Sequence, residues 1–289
     1  VEYIGGNIWG YGLDILDYPL VVQSRAQRAS GAGRLSVRQV EGKTRISTLF
    51  QEGCAKLRFP IVAEDHLEAV MINSAGGLTG GDAMQWDFTL GDHCAAQITT
   101  QACEKIYKAV PGTVATVSTH IDVGRDSYVA WLPQETILFE TADLKRSLNV
   151  NLAAGARALL VESTIFGRKA FGETIGTARF SDQWRVRQEG RLLHAENFSI
   201  GPHAGSALKR PALLSGNRAV ATVLLVSESC ERLLEPARFI IGEQGGASAW
   251  MGKLVARLVD FDAYHLRKRL IPLLGLLNGG TELPRIWST

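Results

Sequence analysis

The chain of 289 residues carries 31 Lys plus Arg against 29 Asp plus Glu, a formal net charge of +2, too weak a field to steer it onto nucleic acid. With 46% hydrophobic and 21% charged residues, 30 Gly and 9 Pro, the composition is that of a folded globular protein and excludes the disordered and collagen-like classes. No apolar run approaches the ~20 residues that span a bilayer, so a membrane is not expected as a partner.

The first 18 residues contain Asp14 and Asp17 where a secretory leader would have a basic start and an unbroken apolar stretch. Residues 24–33 are rich in Ser, Ala, Arg and Gly without an apolar period, so residues 1–30 read as an N-terminal arm. A single unit is expected over 31–289, β-rich over 31–215 and mixed α/β over 216–289. Cys54, Cys94, Cys103 and Cys230 have no CxxC spacing, which argues against a disulfide framework or a preformed zinc site and for a reducing, cytoplasmic setting.

From residue 33 to about 160 the apolar period is two, as in Trp86, Phe88 and Leu90 alternating with polar neighbours, the signature of strands. Strands are predicted at 34–40, 44–51, 55–59, 68–73, 85–90, 95–100, 114–123, 127–132, 148–152 and 157–161. A weak repeat runs through them. Phe88, Leu90, Gly91, Ala96 and Ile98 align with Ile121, Val123, Gly124, Val129 and Trp131 at an offset of 33 residues; at a further 29, Leu152 replaces Val123 and Leu160 replaces Trp131. A period near 30 residues fits stacked units sharing one continuous core, a mainly β, layered or helical (β-solenoid-related) body with a few helices, mostly C-terminal. The alternative is a plain meander of antiparallel hairpins. Beyond it, 219–227 reads as a buried strand and 229–241 as a helix with Leu233, Leu234 and Phe239 on its apolar side. Residues 249–260 read as strand, and 262–278 as a helix with Leu266, Leu270, Leu273, Leu274 and Leu277 on one stripe, stopped by Gly279 and Gly280.

Residues 76–82, GGLTGGD, form a glycine-dense turn, but a phosphate-cradling loop ends on Lys and a hydroxyl, and this one ends on Asp82. It reads as a tight turn, with Asp82 as a hard oxygen donor in the functional reading. QACEKIY (101–107) places Glu104 beside Lys105, and WLPQETILF (131–139) sets Glu135 on a bend next to apolar residues, where a carboxylate must be paired, hydrated or functional. Glu140, Glu162 and Glu173 extend the acidic series, with Arg168 in FGRKAFGE as a partner. The six histidines lack HxxxH spacing, and no GxSxG occurs, so neither a zinc hydrolase nor a serine hydrolase can be written. His93 and Cys94 are adjacent, and neighbouring strand residues face opposite ways.

Read in order, GGLTGGD (76–82), TTQACEKIY (99–107), WLPQETILFE (131–140), FGRKAFGE (166–173), ATVLLV (221–226), SAWMGKLVARLV (248–259) and LPRIW (283–287) resemble the UreD (UreH) family of urease accessory proteins over roughly residues 25–287. Cys103 stands where a small residue such as Ala is more usual, and Glu140 where Asp is. The resemblance implies a fold related to a right-handed β-helix, and a subunit that is not an enzyme. It implies partners too: the helical accessory protein UreF, through it the GTPase UreG, and apo-urease, with nickel inserted at the expense of GTP.

On that reading the chain holds no permanent cofactor and passes Ni2+ along an internal route. Such a route needs weak oxygen ligands, because thiolates or imidazoles would trap the ion. Asp82, Glu135, Glu140, Glu162 and Glu173 are the expected lining groups, with Glu104, Lys105 and Arg168 as structural charge partners. Alternatively the same carboxylates are ion-paired and hold the β layers in register. Arg267, Lys268 and Arg269, opposite the leucine stripe, are either a solvated face or a partner-binding surface. Two other functions stay open: a scaffold that never touches metal, and a β-solenoid carbohydrate-acting enzyme with Glu135 and Glu140 as acid and base.

Overall fold

The computed structural model describes residues 28–62, 66–168 and 172–287; the predicted arm falls almost wholly outside them. Three strand–turn–strand units cross from one sheet to another: β5 (Ala83–Leu90) to β6 (Ala95–Thr100), β8 (Ala115–Val123) to β9 (Tyr128–Leu132), and β11 (Asp143–Leu152) to β12 (Arg157–Phe166). Successive units stack in parallel. Phe88 pairs with Ile121 and Leu90 with Val123; Ala96 pairs with Val129 and Ile98 with Trp131; Leu152 pairs with Val123 and Leu160 with Trp131. These are the pairs aligned by the sequence repeat, so the repeat is the stacking register of a β-solenoid-like body and the antiparallel meander is excluded for this region.

Gly91 and Gly124 recur because consecutive turns lie on top of one another. A Cβ on Gly124 would stand 2.6 Å from the Gly91 carbonyl carbon and 2.7 Å from the Asp92 nitrogen, closer than any side chain tolerates. The turns are tied by Gly124 N–H donating to Leu90 O and Ala153 N–H to Val123 O.

Antiparallel strands complete both sheets. β1 (Ser30–Val40) and β2 (Lys43–Gly53) close one edge of the first sheet, and the hairpin β13 (Arg179–Gln188) and β14 (Arg191–Ile200) closes the other, giving the order β14-β13-β11-β8-β5-β1-β2. The second sheet runs β16 (Gly245–Trp250), β17 (Lys253–Asp260), β15 (Ala219–Val226), β12, β9, β6, β4 (Leu67–Asn73), β3 (Ala55–Arg58), with the short strands β7 (Glu104–Ile106) and β10 (Thr136–Leu138) beside β12. The predicted strand at 249–260 is thus a hairpin, turning at Met251 and Gly252, both with positive φ.

One core lies between the sheets, built from inward residues such as Leu35, Phe88, Ile121, Val150 and Trp184 of the first and Ile98, Trp131 and Leu160 of the second. The other face of the second sheet is apolar as well, since its central strands are covered on both sides. There Leu159, Val161, Val223 and Leu258 pack under two helices, α2 (Leu234–Ile241) and α3 (Ala263–Leu277); α1 (Ala204–Leu208) is a single turn packed on the first core. The five leucines of the predicted α3 stripe are all buried, and Asp262 caps the helix by accepting from the His265 N–H at 2.9 Å. α2 differs from its prediction. It buries Ala237 and Ile241, with Leu233 and Leu234 partly buried beside them, and Phe239 points to solvent, 90% exposed, because it stands two residues, about 200°, from each of the buried pair. Among the described residues no helix is long and apolar enough to cross a membrane.

Candidate functional site

In strands that face a core, a charged residue at an inward position is the exception that needs a partner. Several such exceptions meet between the two sheets. On β11 the inward series Leu144, Leu148, Val150, Leu152 is interrupted by Arg146, and on β13 the series Phe180, Trp184, Val186 by Asp182; both are buried. From the second sheet Glu162 of β12, Thr136 of β10 and Glu104 of β7 face the same gap and line a cavity of about 50 Å³ with Arg146, Gln134, Thr100, Trp131 and several apolar side chains. That volume has room for about three waters.

Arg146 is the hub. Its Nε and Nη2 donate to Asp182 Oδ1 and Oδ2 at 3.0 and 2.8 Å, while its Nη1 donates to Thr136 Oγ1 at 2.9 Å and to Glu162 Oε2 at 2.5 Å. Each carboxylate is also held by an indole: Trp131 Nε1 donates to Glu162 Oε1 at 3.0 Å and Trp184 Nε1 to Asp182 Oδ2 at 3.2 Å. Burial works against the guanidinium charge, but Asp182 and Glu162 outweigh it and hold Arg146 above its ordinary value. Burial also raises the Glu162 carboxyl, only partly offset by Arg146.

Glu104 has no such cation. Its side chain accepts from Asn73 Nδ2 at 3.1 Å, and burial pushes its carboxyl up to about 7 against the weaker pull of that bond and of the Lys105 backbone N–H. Lys105, its neighbour on β7, projects to the opposite face and is exposed, so the predicted Glu104–Lys105 pairing is replaced by Asn73. Gln134 borders the cavity with its Nε2 buried and without an acceptor, a sign that the chamber holds water or a ligand oxygen.

The other predicted carboxylates do not reach this chamber. Asp82 fastens the glycine loop, its two oxygens accepting from the backbone N–H of Ala29 and Thr79 at 2.9 and 2.8 Å. Glu140 accepts from the N–H groups of Gly176 and Thr177 and from the Thr177 hydroxyl. Glu173 is forked by Arg168 at 2.9 and 3.2 Å, which holds its carboxyl below the usual range. These three tie loops together because each is surrounded by N–H donors that the turns leave unpaired.

Glu135 lies on the far side of the 131–135 bend, buried against Arg267 of α3 at 3.0 Å and accepting from the Cys103 thiol at 3.3 Å. Burial, reinforced by Glu135, pushes that thiol up to about 12, so it stays protonated and is a poor metal ligand. Arg267 also donates to Gln134 Oε1 and Trp287 O, and Arg269 to Asp260. The predicted basic face of α3 is therefore corrected: Arg267 and Arg269 turn inward to buried acceptors, and Lys268 alone remains exposed, over the Tyr264 ring.

A β-solenoid-like body fits many roles; comparison with known proteins decides among them. Residues 29–288 match the family model described as UreD urease accessory protein. The chain belongs to the UreD family. It is 52% identical over 280 residues, 96% of this chain and 100% of the relative, to the urease accessory protein UreD of Mesorhizobium japonicum. It is 51% identical over 266 residues, 91% of this chain and 95% of the relative, to urease accessory protein UreD 1 of Brucella abortus. Membership gives a role in urease maturation.

Among the described residues no group of three or more His, Cys, Asp or Glu forms a metal cluster. What this UreD-family chain has is a small cavity between the sheets, walled largely by apolar side chains, onto which Glu104, Glu162, Gln134 and three threonines open. Sequence reasoning named Glu162 and Glu104 but missed Arg146, Asp182 and Gln134; the signal available was the charged residue at an inward position of two alternating strands.

Proposed function

We propose that this chain works in the cytosol as the subunit that binds UreF and, through it, the GTPase UreG, docks on apo-urease and lets Ni2+ pass through its interior to the urease active site. The observation that carries the reading is the pair of carboxylates, Glu104 and Glu162, lining one small cavity between the two sheets. Burying two carboxylates there costs several kcal/mol of order, a cost that packing alone would have avoided with leucines.

Each carboxylate supplies a hard, exchangeable oxygen, and burial raises the thiol of Cys54, which lies against the lining residue Met84, so an ion finds ligands weak enough to leave again. The chamber's size means that an ion inside it would have shed most of its water, which the glutamate oxygens replace. Asp82, Glu140 and Glu173 hold the loops around this path in shape, and Glu135 with Arg267 seals α3 against its wall.

The test is co-expression of apo-urease and the other accessory proteins with the wild-type chain, Glu104→Gln, Glu162→Gln or the double variant. Complex formation, urease activity and nickel content are read together. The expected result is an intact complex with activity reduced at least tenfold in the double variant. Wild-type activation by a double variant that assembles normally would overturn the conduit and leave a scaffold.

A further inference from the structure

We infer that Arg146 is a tethered stand-in for the transported cation, occupying the place between Glu162 and Asp182 and thereby keeping that place from becoming a trap. The inference rests on the conduit reading above and adds to it a residue that sets how long the ion stays.

The two carboxylates come from different sheets, Glu162 from β12 and Asp182 from β13. The Arg146 guanidinium bonds to both and so bridges them across the core. Both would keep their orientation without it, because Trp131 and Trp184 anchor them independently. Take the guanidinium away and two fixed, buried carboxylates face one another with a threonine hydroxyl close by. That is a hard-oxygen set of the kind that holds divalent cations, in surroundings where two unpaired negative charges are strongly unfavourable.

The chamber beside it supplies an independent observation. Gln134 is more than nine-tenths buried and its Nε2 has no acceptor, and it lines the same cavity as Arg146 and Glu162. A water or the remaining aqua ligand of a largely dehydrated cation would satisfy it, in the same cavity that the Glu162 carboxylate lines. With Arg146 present and both acids ionised, the triad carries one net negative charge, enough to attract a cation. Without Arg146 it carries two, and the ion would bind in place of the guanidinium and remain. Of the five guanidinium N–H donors, four are engaged, so the side chain is held firmly enough to exclude a competing ion.

The test uses the purified complex of this chain with its accessory partners, loaded with Ni2+ and then mixed with a chromogenic chelator. Arg146→Met, which keeps length and apolar volume, is expected to slow nickel release at least tenfold and to retain about one ion per chain, with urease activation reduced. Adding Glu162→Gln to it is expected to restore fast release, an outcome a merely structural arginine would not give. Should the Met variant not fold, Arg146→Lys carries the test. An ammonium cannot fork onto Asp182 while reaching Glu162 and Thr136, so release slower than wild type is expected.

Release at the wild-type rate from a folded Arg146 variant overturns the inference while leaving the conduit intact. A wild-type complex that takes up no nickel, or unimpaired activation by Glu104→Gln/Glu162→Gln, overturns both.

Discussion

Replacing Glu104 by glutamine is expected to make the chain more stable at alkaline pH and poorer at maturing urease. The carboxyl stands at about 7 in the folded protein against an ordinary 4.5, with burial as the main cause. Because the folded-state value is the higher one, the unfolded chain releases its proton first. Stability contributed by the protonated form is complete below about pH 4.5, declines as pH rises, and is lost once pH passes about 7. At about 1.4 kcal/mol for each pH unit between the two values, the loss comes to about 3 kcal/mol. Glutamine does not titrate, and its side-chain oxygen can accept the same hydrogen bond from Asn73. Urea denaturation of the full chain between pH 4.5 and 8.5 should therefore show Glu104→Gln more stable than wild type by about 2–3 kcal/mol at pH 8, with the difference vanishing near pH 4.5. An unchanged or destabilised variant at pH 8 would refute the claim that this carboxylate is retained at the expense of stability, and with it the argument that the chamber exists for function.

Three further outcomes follow from the packing. Arg267→Ala should destabilise by about 3–5 kcal/mol, because it strands the buried Glu135 carboxylate; Lys268→Ala on the same helix should stay within about 0.5 kcal/mol, and thermal melts of the pair compare them directly. Gly124→Ala should cost about 1–3 kcal/mol in urea denaturation, since its Cβ meets the Gly91 backbone; equal stability would mean the stacked turns are slack. Cys103, with its thiol pushed up to about 12, should react with iodoacetamide at pH 8 on the order of 10³ times more slowly than an unperturbed thiol, as followed by mass spectrometry of the Cys103 peptide. Labelling at the ordinary rate would contradict the protonated, hydrogen-bonded thiol.

The parts of this protein legible in its sequence are those governed by local periodicity. Period-two alternation locates most of the long strands, the leucine stripe sets the buried face of α3, and the 33- and 29-residue offsets state which residues stack, because identical turns force identical registers. Strands of three residues such as β7 and β10 are too short to show a period. The β13–β14 hairpin was missed because Asp182 breaks the apolar alternation of β13 and β14 is half exposed.

What no local pattern contains is which charges meet. Arg146, Glu162 and Asp182 are 16 and 20 residues apart along the chain and lie on three strands of two sheets; Arg146 and Asp182 read in isolation as surface charges, and nothing local names them as partners of Glu162. Likewise Arg267, Lys268 and Arg269 look equivalent in sequence, and only the packing of α3 on the second sheet turns two of them onto buried acceptors. The sequence by itself determined the rungs and the register of their stacking, since these depend on side-chain size repeated at fixed intervals, and its ordered motifs carried the resemblance to the family. The tertiary structure decided the chamber, because the free energy of a buried charge depends on the partner brought to it across the core and on the water excluded around it.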